Sequence, residues 1–80
     1  MLQLKIVSPE KIEFCGAVES VFVPGTMGQF EILQDHAPII STLQCGTVEY
    51  TTAEGKAQLE IQGGFVEVQK NVVSLCVELK

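Results

Sequence analysis

An all-β fold, an antiparallel sandwich or barrel, is what this sequence predicts, and two observations carry that expectation. Apolar residues recur at every second position along most of the chain. That is the spacing of a strand whose side chains point by turns to a buried and a solvated face. Turn-forming residues then interrupt the runs at intervals of about 8 to 12 residues, the rhythm of short strands folded into two layers. Two layers are needed because each sheet has one apolar face to hide. No long stretch carries an apolar stripe at helical spacing.

The elements follow in order. Leu2, Leu4 and Ile6 alternate with Gln3, Lys5 and Val7, and Pro9-Glu10 closes that run. Cys15-Gly16 reads as a break before Ala17 to Val23. Pro24-Gly25-Thr26-Met27-Gly28 is a strong stop, and Gln34-Asp35-His36-Ala37-Pro38 is another. Proline presets a turn, glycine supplies positive φ, and Asp bonds its own backbone. After Cys45-Gly46, Val48, Tyr50 and Thr52 alternate with Thr47, Glu49 and Thr51. Ala53-Glu54-Gly55 reads as a hairpin loop with glycine in the left-handed position. It leads into Ala57, Leu59 and Ile61, separated by Gln58 and Glu60. Gly63-Gly64 and Lys70-Asn71 are the last expected breaks, and Val73, Leu75, Val77 and Leu79 line one face of the final run. Eight or nine short strands are expected on this count, on the spacing of strands and turns alone.

Length and composition narrow the class. The chain has 80 residues, 46% hydrophobic and 19% charged, which suits one domain, 1–80, without linker or repeat. A domain near this size buries roughly 60% of its unfolded surface, so the core is small. The net charge is −5, with five scattered lysines and no arginine. Phosphate backbones are bound by clustered Lys and Arg, so nucleic acid is not an expected partner. An anionic lipid surface would repel the same charge. No run approaches a membrane span or a signal core, and contact with a membrane is expected only through a partner. Cys15, Cys45 and Cys76 are three in number with long, irregular spacing. They read as reduced small hydrophobes in or near the core, in a cytosolic setting, rather than as metal ligands.

Candidate chemistry is sparse. His36 is the only histidine and stands beside Asp35, but no nucleophile sits in a recognisable elbow. Gly25 to Gly28 and Gly63-Gly64 lack the following helix and lysine of a phosphate cradle. No catalytic residue, metal or cofactor is therefore assigned. The segment from Val23 to Leu43 is unusual in its apolar loops, with Met27, Phe30, Ala37 and Pro38. Apolar loops on rigid strands point to protein contact. A free-standing protein- or ligand-binding sandwich remains the alternative on this reading.

At that segment the chain resembles the epsilon subunit of the F-type ATP synthase. The matching stretches are Val7-Ser8-Pro9-Glu10 with Phe14-Cys15-Gly16, Val21 to Leu33, His36-Ala37-Pro38, Gly46-Thr47-Val48, Ile61 to Val68 and Asn71 to Leu75. Their order and spacing run the length of the chain. The resemblance implies a flattened β-sandwich of about ten short strands. It also implies a non-catalytic rotor subunit at the foot of the central stalk of a bacterial, proton-translocating synthase. Its partners would be the gamma subunit and the ring of membrane c subunits, at the cytoplasmic face of the inner membrane. The helical hairpin that many members carry after the sandwich, an inhibitory element, has no counterpart before Lys80.

Residues carry over by motif. Thr26, Met27, Gly28, Gln29 and Phe30 match the family loop that faces the c ring. Ser8, His36, Ala37, Pro38 and Thr42 match the face toward gamma. Gln29 stands where the family often has an acidic residue, so a neutral hydrogen bond or Phe30 packing is expected in place of a charged contact. Gln34-Asp35 replaces the family's Pro-Gly or Pro-Asn, and Asp35 is expected to bond locally to the backbone.

Overall fold

A computed structural model describes residues 1–80. Eight strands and no helix make up the chain: β1 Leu2–Val7, β2 Ile12–Val18, β3 Ser20–Gly25, β4 Gly28–Ile32, β5 Ile39–Leu43, β6 Gly46–Thr52, β7 Gly55–Gln69 and β8 Val72–Leu79. Hydrogen bonding runs in the order β2-β1-β8-β7-β5-β3-β4, with β6 pairing both β3 and β7. One layer is β4-β3-β6 with the first half of β7. The other is β2-β1-β8, the second half of β7, and β5.

The all-β sandwich is as expected, and the alternation places its core. Val21, Val23, Ile32, Val48 and Ile61 meet Leu2, Leu4, Ile6, Val18, Leu43, Val66, Val68, Val73, Leu75 and Val77 in one cluster of 15 buried residues. The molecule measures 27 × 25 × 18 Å. Its short axis fits two sheets about 10 Å apart with solvated side chains on each outer face, so it is flattened as well.

Eight strands form, within the eight or nine expected from spacing and fewer than the ten or so the resemblance implies: two expected breaks are not breaks, while the expected run Ala17 to Val23 divides at Glu19. β2 runs straight through Cys15-Gly16. β7 runs 15 residues through Gly63-Gly64, where a register shift between Ile61 and Gly63 marks a bulge against β8. Bulges bend a strand and raise its twist, and here the bend carries β7 from one layer into the other. Gly64 makes the passage possible. Its φ is +148°, and a Cβ there would lie 2.1 Å from the Cys76 carbonyl oxygen.

The sheet is not wholly antiparallel. β1 and β8 are parallel, with Gln3 opposite Val72 and Val7 opposite Cys76. Parallel neighbours cannot be joined by a tight hairpin; these two are separated by nearly the whole chain. The expected turn at Lys70-Asn71 is present, with φ of +51° and +62° between Gln69 and Val72. Positive φ at both central residues is the type I′ hairpin that matches strand twist. The cysteines are free, as expected, but not core residues. Cys15 and Cys45 are exposed and Cys76 is intermediate, because each falls on the outward parity of its strand or in a loop.

Candidate functional site

Two turns, one at each end of β4, carry most of the candidate residues. Thr26 and Met27 form the tip of the β3–β4 hairpin, with Gly25 opposite Gly28. Met27 is 98% exposed, an apolar side chain held in water by a two-residue loop. The tip is tied sideways to the end of β5. The Thr26 amide donates to the Thr42 carbonyl at 3.0 Å, and the Gln44 amide to the Pro24 carbonyl at 2.9 Å. The hydroxyl oxygens of Thr26 and Thr42 lie 2.8 Å apart. Thr26, expected on the ring-facing loop, and Thr42, expected on the gamma-facing side, are therefore in contact.

A second turn spans Leu33 to His36 and is closed by the His36 amide on the Leu33 carbonyl, 3.1 Å. Asp35 sits at its third position with φ +64°, the conformation of a type II turn. Asp35 does not bond locally as expected. It reaches the β7–β8 hairpin 36 residues away: its amide donates to Asn71 Oδ1 at 2.6 Å, and Asn71 Nδ2 donates to Asp35 Oδ1 at 3.2 Å. The His36 ring lies beside Phe30, centroids 6.5 Å apart, with Nδ1 2.7 Å from the Ala37 carbonyl. Ala37 and Pro38 are exposed.

Alternation along β4 separates its residues. Gln29 and Glu31 point outward, while Phe30 is half-buried against the core. The Phe30 ring covers Gly25, where an added Cβ would lie 2.9 Å from Phe30 Cε1. Glu31 thus places a carboxylate on the same strand face as Gln29.

Ser8 is only 6% exposed. Its hydroxyl donates to Glu13 Oε2 at 2.9 Å, with the Lys11 carbonyl at 3.2 Å, in the turn after β1. It nevertheless follows directly on the sheet that holds Thr42. Thr42 is opposite Phe65, Phe65 opposite Cys76, and Cys76 opposite Val7. Ser8 follows, and an open groove of about 540 Å³ runs between it and Phe65, Gly64 and Cys76. Phe65 is 47% exposed and Ile40, one row away on β5, 73%. Neither was singled out from the sequence. The available signal was a large apolar residue on the outward parity: Val66 and Val68 point inward, so Phe65 points out.

The opposite outer face is different in kind. There Gln58 Nε2 donates to Glu49 Oε2 at 2.9 Å, Lys56 lies 4.0 Å from Glu49, and Thr47 bonds Glu60. That face carries its own network of polar side chains, beside the partly exposed Phe22. The face carrying Ile40, Thr42, Phe65 and Cys76 sets exposed apolar side chains among Glu67, Ser74 and Lys5 and adjoins both turns, the arrangement of a docking surface.

The family model for the β-sandwich domain of the ATP synthase delta/epsilon chain matches residues 1–79.

The chain belongs to that delta/epsilon family.

Members agree over the whole sandwich. A protein named ATP synthase epsilon chain from Leptospira borgpetersenii is 42% identical over 77 residues, 96% of this chain and 61% of that protein. The same-named protein of Chlorobium limicola is 39% identical over 77 residues, 95% of this chain and 88% of its own length. The delta/epsilon family therefore includes relatives much longer than this chain and relatives close to it in length. Among solved structures, a chain of the Euglena gracilis mitochondrial ATP synthase, imaged with OSCP, F1 and c-ring, superposes with a TM-score of 0.88 at 23% identity, covering 95% of this chain and 49% of that one. A chain of the Tetrahymena thermophila central stalk and c-ring gives 0.81 at 13% identity, covering 96% and 63%. These two similarities establish the fold.

Proposed function

We propose that residues 1–80 form one epsilon-type rotor unit that does no bond chemistry and fastens the gamma shaft to the c ring of a proton-translocating ATP synthase. The observation that carries this reading is the family match over residues 1–79. The Leptospira and Chlorobium relatives are named epsilon chains, and the Euglena and Tetrahymena neighbours come from F1/c-ring and central-stalk assemblies. The geometry agrees with a joint. Met27, Gln29 and Glu31 would face the polar loops of the c ring, with Thr26 and Gly28 shaping the hairpin and Phe30 bracing it. His36, Ala37, Pro38 and Thr42 would face gamma, with Ile40 and Phe65 extending that face toward Ser8. The contact Thr26–Thr42 would make the two faces one rigid body. The site of action would be the cytoplasmic face of a bacterial inner membrane, reached through the complex.

Co-expression with the gamma subunit of the same organism, followed by size-exclusion chromatography, tests the reading. A one-to-one complex weakened by His36→Ala is the expected result. A folded chain that ignores gamma, and still ignores it when the c ring is added, would instead indicate a free-standing binding module.

A further inference from the structure

Asn71 is the residue beside the Leu33–His36 turn that neither the alternation nor the resemblance singles out as a contact residue. It stands in a hairpin turn, held on both sides. Its carbonyl accepts the Gln3 amide at 2.9 Å, which fixes the turn to β1. Its own φ of +62° is one of the two that define the type I′ geometry. A side chain mounted on such a turn has little freedom. That side chain makes a two-point clasp with Asp35, accepting from the backbone amide and donating to the carboxylate.

Asp35 needs the clasp. At the third position of a type II turn glycine or asparagine is favoured, because φ is positive there. An aspartate accepts that conformation only at some cost, and both its amide and its carboxylate are satisfied by Asn71. The next residue is His36, then Ala37 and Pro38. Proline restricts Ala37 to extended conformations, so the turn fixes one end of the segment and Pro38 leads into β5 at the other. Without the clasp, the only hydrogen bond closing the turn is that of the His36 amide on Leu33.

We propose that Asn71 is a positioning residue: through Asp35 it holds the segment His36-Ala37-Pro38 in the conformation that docks on gamma. This rests on the rotor reading above. Binding weakens by the fraction of molecules that lose the competent conformation. Loss of the clasp is therefore expected to lower gamma affinity about tenfold, if roughly one molecule in ten keeps the docking geometry. Stability changes little, since the clasp is exposed and lies outside the core.

The test is an exchange of partners in the 80-residue chain. Asn71→Asp keeps a residue that tolerates positive φ but opposes two carboxylates and removes the Nδ2 donor. Asp35→Asn combined with Asn71→Asp restores one donor and one carboxylate. Asp35→Gly is the second single variant; glycine suits the turn and deletes only the side chain. Two quantities are read for each: amide hydrogen exchange at residues 35 and 36 in the free chain, and the dissociation constant for gamma. Faster exchange and weaker binding in Asn71→Asp, both restored in the double variant, is the expected result, with Asp35→Gly intermediate. Unchanged exchange in Asn71→Asp overturns the clasp as a constraint on the loop. Faster exchange with unchanged affinity overturns its role in docking. A wild-type chain that does not bind gamma overturns the rotor reading and, with it, the partner named here.

Discussion

Single side chains of the candidate site divide into those the isolated domain needs and those only a partner would need. Met27 is 98% exposed and touches nothing that its loss could disturb. Met27→Ala should leave the unfolding free energy of the free chain, read by urea titration, within about 0.5 kcal/mol of wild type while weakening capture of the c ring in a pull-down. Phe30 is the opposite case. It packs on the core cluster and roofs Gly25, so Phe30→Ala should destabilise the free chain by about 2 kcal/mol, less than the 3–5 of a fully buried phenylalanine. Any effect of Phe30→Ala on ring attachment must be compared at equal folded fraction. Alternation left Phe30 undecided because it lies near a strand start; the pairing of Val23 with Phe30 and of Val21 with Ile32 puts it on the inward parity.

Among the elements, β7 was the hardest to read. A Gly-Gly pair bounded by alternating runs looks like a turn, because both a turn and a bulge need glycine's freedom of φ. What distinguishes them is the partner strand, and local sequence holds no information on β8 approaching within 2.1 Å of an added Cβ. Gly64→Ala should cost more than about 3 kcal/mol, since neither the positive φ nor the Cys76 carbonyl can yield cheaply. Thermal unfolding of that variant checks it, and a melting temperature equal to wild type would remove the bulge from this account. Elements bounded by Pro24-Gly25, Ala53-Glu54 and Lys70-Asn71 were legible for a local reason: each turn is encoded by the residues inside it. The Asp35–Asn71 clasp was not, because its two members are 36 residues apart.

The two outer faces of the molecule differ: one carries a network of polar side chains, the other exposes Ile40 and Phe65 among polar neighbours, and this difference suits a protein that works in an assembly. A core of 15 residues is small, and a bound partner adds stability in proportion to the logarithm of its concentration over its Kd. The expected melting temperature therefore rises on titration with gamma. The sandwich class was readable from period-two alternation over most of the chain, whereas exposed apolar side chains were conspicuous in the sequence only where they fell in loops, at Met27 and Pro38. Phe65 escaped because one aromatic on a polar parity looks like noise until the register lines it up with Thr42 and Cys76. The parallel pairing of β1 with β8 has a mechanical consequence. The first and last strands lie side by side and point the same way, so tension applied between the two chain ends loads their shared hydrogen bonds along the strand axis. All of those bonds must slip together, whereas an antiparallel hairpin pulled at its open end peels one bond at a time. Stretched by its ends in an optical trap, the domain should yield in one high-force event. Pulled instead between residues 53 and 80, which opens the sheet from another direction, it should give way at lower force.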